Sequence, residues 1–228
     1  MSMKSYVVSR VLMTIPMIML LLTFVFIIVR ILPGDPALLH FERNVDPDTL
    51  AEFRSVLGLD VPIHEQFFTY LAGIPFGNLG LSMQDFTPIS EHIAVRFPAT
   101  LELAIYSMAF AVLLGVALGV RSSKKYDSGE DHSIRMFGVI TYAIPVFFLG
   151  MILQFIFSIY LNILPTGTRF DPHFSTPPTI TGLYTIDSLL TGDINGFFVA
   201  IKYLMLPVTA LGTILCGIFI RLTRTNML

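Results

Sequence analysis

The sequence predicts an all-α, polytopic membrane protein, and three observations carry that expectation. Four uncharged apolar runs are each long enough to cross a bilayer. Charged residues are only 13% of 228, about half the share of a soluble domain. Apolar residues reach 54%, with a mean hydropathy of +0.75.

The first run, Val11 to Val29, has 19 residues. Lys4 and Arg10 precede it as in a secretory leader. The run is longer than a leader's apolar core and lacks a small-x-small cleavage pattern, so an uncleaved span is expected. Leu103 to Val120 gives 18 residues, Met136 to Leu164 gives 29, and Tyr203 to Ile220 gives 18. At a rise of about 1.5 Å per residue, about 20 residues match a hydrocarbon core of about 30 Å. The spans of the second half are placed at about 100–120, 136–161 and 203–220.

Basic residues near span ends set direction. The N-terminal tail, residues 121–135 and the C-terminal tail hold 8 basic and 3 acidic residues; the segments 30–102 and 162–202 hold 6 and 13. Both termini and the 121–135 loop are therefore expected in the cytoplasm of a cell membrane protein.

Two domains are expected: 1–94, the first span with an external cap, and 95–228, the remaining core. In the cap, Asp46-Pro47 has a helix-start arrangement. Leu50, Phe53, Val56 and Leu57 follow at helical spacing until Gly58. A second short helix is expected from Pro62 to Gly73 and a third from Thr87-Pro88 to Arg96. Residues 165–196 are rich in Pro and Gly, with one short helix at Tyr184–Leu190.

Several chemistries are excluded. A net charge of −2 does not suit a nucleic-acid surface. One cysteine, Cys216, cannot make an intrachain disulfide. The five histidines have no metal-site spacing, and phosphate-loop and nucleophile-elbow motifs are absent, so the chain is not expected to be an enzyme or an ATP-driven pump alone. The scarcity of titratable residues inside the spans argues against a secondary carrier.

The candidate path or helix-packing residues are few. Glu102 stands at the start of the second expected span, where a helix N-terminus would favour an acid. Gln154 lies within the third. Gly115 and Gly119 permit close helix approach, and Pro145 and Pro207 each remove a helix hydrogen bond. Arg121, Lys124, Lys125, Arg221 and Arg224 are candidates for facing cytoplasmic partners.

An ordered series of motifs carries a resemblance. It runs Pro33-Gly34-Asp35-Pro36, Leu57-Gly58-Leu59-Asp60-x-Pro62 and Phe76-Gly77-Asn78-Leu79-Gly80-x-Ser82. Arg96-Phe97-Pro98-Ala99-Thr100-Leu101-Glu102, Pro145-Val146-Phe147-Phe148-Leu149-Gly150 and Leu164-Pro165-x-Gly167 continue it. Thr181-Gly182-Leu183-Tyr184-x-x-Asp187, Leu206-Pro207-x-x-x-Leu211-Gly212 and Arg221-x-Thr223-Arg224 complete it. The set resembles the oligopeptide/dipeptide/nickel class of binding-protein-dependent ABC transporter permeases; Asn78 stands where that class usually has Asp.

The resemblance implies a type I importer subunit on the path for peptides, nickel or related small solutes. It also implies a heterodimer with a second permease, two ATPase subunits that bind the ATP, an external solute-binding protein and no cofactor of its own. Such permeases have six spans and a cytoplasmic docking loop after the fourth. On that comparison the chain is expected to be a C-terminally truncated permease without the loop, unable to couple ATP to transport by itself. A non-transporting fragment or assembly partner, or a small secondary carrier, are the rival readings.

Overall fold

The computed structural model describes residues 3–31, 46–82 and 85–228. It is helical throughout, and among the described residues strand pairing is limited to an isolated bridge between Leu81 and Pro88. The chain divides into two compact units, Met1–Ile93 and Ala94–Leu228. The Pro33–Pro36 motif lies outside the described residues.

In the first unit, α1 (Met3–Ile31) is apolar on nearly all sides and exposes most of its side chains, as a lipid-facing helix does. The expected cap helices are present. In α2 (Pro47–Val56) the Leu50 amide donates to the Asp46 carbonyl, and Gly58 at φ +60 ends the turn. Helix α3 (Ile63–Gly73) follows Pro62 and closes through a 3-10 turn at Ile74–Phe76. Phe26 of α1 packs edge-on against Phe67 at 5.1 Å and stacks with Tyr70 at 6.0 Å. In the loop before the next helix, hydrogen bonds from Ser82, His92 and Thr87 hold the Asp85 carboxyl well below the usual carboxylate range.

Helix α4 (Ile89–Lys124) corrects one expectation. A short helix ending near Arg96 and a separate span from Leu103 are instead one 36-residue helix that passes through Pro98. Proline forfeits one backbone hydrogen bond, and here the helix tolerates the loss.

The third expected span is also corrected. Helix α5 (Gly129–Ala143) starts before Met136, capped by the Ser128 hydroxyl, which accepts from the Asp131 amide. Ile144 and Pro145 are then extended, as the residue before a proline prefers. Helix α6 (Val146–Gln154) leaves at an angle, and with its π-helical continuation Phe155–Tyr160 it lies 101° from α5. Pro145 thus starts a helix rather than kinking one. The short α7 (Tyr184–Leu190) matches its expected limits. Helix α8 (Ile194–Met227) is longer than the run 203–220 and contains Pro207.

Within the second unit α8 is the central helix, and backbone contact carries its packing. Ser107, Ala111, Gly115, Gly119 and Ser122 form a buried stripe of small residues on α4. A Cβ at Gly115 would stand 2.5 Å from the Phe219 Cβ and 2.8 Å from the Cys216 carbonyl oxygen. One at Gly119 would stand 2.6 Å from the Thr223 Cβ. Gly212 and Gly217 repeat the device from α8, against Phe110 and against the Gly138 carbonyl of α5. Lipid gives apolar side chains little reason to prefer protein, so close backbone approach is what joins these helices. Ala111, Ile134, Cys216 and Ile220 form the buried core between them.

Candidate functional site

Two buried charge clusters lie within the second unit. The first centres on Glu102, which is 1% exposed. Its carboxylate accepts from Arg169 Nη2 at 2.8 Å, and from the Thr185 amide at 2.8 Å and hydroxyl at 2.7 Å. Arg169 also donates to the Gly182 carbonyl and lies 3.8 Å above the Tyr184 ring, a cation–π contact. Glu102 is the fourteenth residue of α4, so the helix-terminus reading is corrected: an ion pair and α7, not a helix dipole, hold the acid.

Asp187 builds the platform under that cluster. Its carboxylate accepts from the amides of Ile180, Thr181 and Gly182 and from the Thr181 hydroxyl. Burial alone raises its pKa; the Thr181 hydroxyl and amide, with the other two amides, outweigh burial and hold it below the usual carboxylate range. Gly182 sits at φ +79 with its Cβ direction 2.8 Å from the Pro98 ring. A side chain there would meet both backbone strain and collision.

The second cluster joins α4, α5 and α8 at their other ends. Asp131, fully buried, takes a two-pronged pair from Arg224, with Nε and Nη2 both at 2.8 Å. It also accepts from the Ser122 hydroxyl and the Asp127 amide. Arg224 lies over the Tyr126 ring at 5.4 Å. Glu130, beside it, pairs with Arg121 and Lys125. Glu102 and Ser122 are twenty residues apart on α4, about 30 Å along the axis, which is the hydrocarbon thickness. The two clusters therefore sit one at each edge of the apolar slab.

A cavity of 300 Å³ within the same unit brings Gln154 together with Thr168, Tyr203 and Pro207. Tyr203 is hydrogen-bonded to Asp171. Gly115 and Gly119 are in the α4–α8 contact. Pro145 is at the α5–α6 break, away from that cavity's lining. Of the five basic candidates, Arg121, Lys125 and Arg224 are tied to acids within the chain. Lys124 is exposed, and Arg221 lines a groove between α5 and α8.

This arrangement holds helices apart and together; its acids are saturated by internal donors. Comparison with known proteins decides what the scaffold is. Residues 3–104 match the family described as the N-terminal part of the membrane component of binding-protein-dependent transport systems. The chain is 35% identical over 227 residues to the di/tripeptide transport system permease protein DppB of Pseudomonas aeruginosa strain UCBPP-PA14, covering 99% of this chain and 67% of that protein. The chain belongs to this family of ABC importer permeases.

Two other relatives agree. The dipeptide transport system permease protein DppB of Escherichia coli K12 is 32% identical over 229 residues, 99% of this chain and 68% of that one. The glutathione transport system permease protein GsiC of Salmonella paratyphi A is 39% identical over 181 residues, 79% and 59%. The two clusters fix helix ends and loops through internal ion pairs and hydrogen bonds. Sequence reasoning missed Arg169, Thr185, Asp187 and Asp131. Their signal was present: Thr181-Gly182 and Asp187 stand in one motif, and Asp131 is one of three acids among the four basic residues of 121–135.

Proposed function

We propose that this ABC permease imports peptides. The supporting observation is end-to-end similarity, over 99% of the chain, to proteins named as di/tripeptide and dipeptide permeases. Its solute comes from an external binding protein. A second permease completes the path, and two ATPase subunits bind and hydrolyse the ATP. The chain itself catalyses no reaction and holds no cofactor. Gln154, in the 300 Å³ cavity with Thr168 and Tyr203, offers the amide chemistry that a peptide bond pairs with. Lys124, exposed at the end of α4, faces the ATPase side. Removing the gene is expected to abolish uptake of labelled dipeptide and leave nickel uptake unchanged; loss of nickel uptake alone would reverse the assignment.

Both termini and the α4–α5 connection lie in the cytoplasm on this reading, from the 8 to 3 excess of basic over acidic residues there. With Cys216 replaced by Ala, single cysteines at Lys124 and Ser175 test it. An impermeant maleimide applied to intact cells should label position 175 and spare position 124. The opposite pattern inverts the topology.

A further inference from the structure

A groove of 280 Å³ runs between α5 and α8. Its wall is almost wholly apolar, with Val139, Tyr142 and Ile218 prominent, and Val139 and Tyr142 are 69% and 74% exposed. Arg135 and Arg221 also line it, both exposed, and among the described residues neither side chain has a hydrogen bond or ion pair. Arg224, the third arginine there, is committed to Asp131.

Two unpaired guanidiniums lining one groove call for an anion, and a phosphodiester accepts from arginine in the planar, two-pronged manner it favours. From Arg135 the apolar wall runs seven residues along α5 to Tyr142, about 10 Å of helix. Helix α8 is apolar and of membrane-spanning length, and α5 reaches that length together with α6 across the 101° bend, so a groove along α8 meets hydrocarbon. An anionic head joined to an apolar tail fits that combination, and basic pockets between membrane helices recruit such lipids.

We propose that the groove between α5 and α8 holds one anionic phospholipid, its phosphate shared by Arg135 and Arg221 and one acyl chain lying along Val139, Tyr142 and Ile218. The lipid ties α5 to α8 from the bilayer side, where Asp131 and Arg224 tie them from within. The site is separate from the Gln154 cavity and does not depend on the cargo being a peptide.

The test uses the assembled transporter, purified in detergent and titrated with phosphatidylglycerol or phosphatidylcholine, with bound lipid counted by native mass spectrometry. The wild type should retain one phosphatidylglycerol in strong preference to phosphatidylcholine. The R135Q/R221Q variant should lose that retention at least tenfold; it breaks no ion pair within the chain. V139W fills the groove while keeping both arginines and should lose the lipid too. Equal retention of the two lipids, or undiminished phosphatidylglycerol in either variant, overturns the proposal. A photo-crosslinking residue in place of Val139 should capture lipid; capture of a partner subunit instead gives the groove to a protein contact and also overturns it.

Discussion

Glu102→Ala is expected to destabilise the permease by about 3–5 kcal/mol, the range for removing one partner of a buried ion pair. The substitution strands Arg169 and leaves the amide and hydroxyl of Thr185 without their acceptor. Glu102→Gln keeps an acceptor for Thr185 but turns an NH2 donor toward Arg169, losing that hydrogen bond as well as the charge, so it should cost less than Glu102→Ala only by what Thr185 retains. The double variant E102A/R169A should be clearly more stable than the sum of its single losses predicts, since removing both charges leaves none unpaired. Thermal unfolding of the purified transporter measures the wild type, Glu102→Ala, Glu102→Gln, Arg169→Ala and the double variant. Strictly additive losses would show that Glu102 and Arg169 stabilise the protein independently.

Gly115→Leu should cost about 1–3 kcal/mol from overpacking alone, and more if the backbones cannot separate. Already a Cβ would stand 2.8 Å from the Cys216 carbonyl oxygen, and that atom belongs to a helix rather than to a side chain that can turn away. Gly138→Ala is the internal control. Its Cβ would find nothing nearer than 3.8 Å, an ordinary contact with Gly217. The yield of intact complex from membranes should therefore fall sharply for the first and stay near wild type for the second. Similar yields for both would mean that the α4–α8 contact opens without cost.

Much of this was legible in the sequence because it is local. Uncharged length marks the spans, and Pro47, Pro62 and Gly58 mark helix ends through the torsions they favour or forbid. What was not legible is long-range or cooperative. A helix ending near Arg96 and a span from Leu103 are one helix instead, and α4 packs the Pro98 ring toward Gly182 in a distant loop. Pro145 reads as a kink, and the 101° turn there depends on how α5 and α6 each meet α8. Gly115 and Gly119 announced a close approach but not its partner. Glu102 stood out as a polar residue in an apolar setting, while Arg169, 67 residues later, looked like an ordinary loop cation.

That separation bears on how the protein is made. Arg169 follows Glu102 by 67 residues and Arg224 follows Asp131 by 93, so in each pair the acid leaves the ribosome first. At about 5–20 residues per second, Glu102 waits about 3–13 s for its partner and Asp131 about 5–19 s. An unpaired carboxylate is costly within hydrocarbon. During those seconds each carboxyl has to remain in interfacial water. Helix α4, with Glu102 near one edge of the slab, can therefore reach its final depth only after the Arg169 segment has been synthesised. Helix α8, which carries Arg224, emerges after α5, so the pairing within the second unit is vectorial: acids are laid down first and locked by arginines that arrive later.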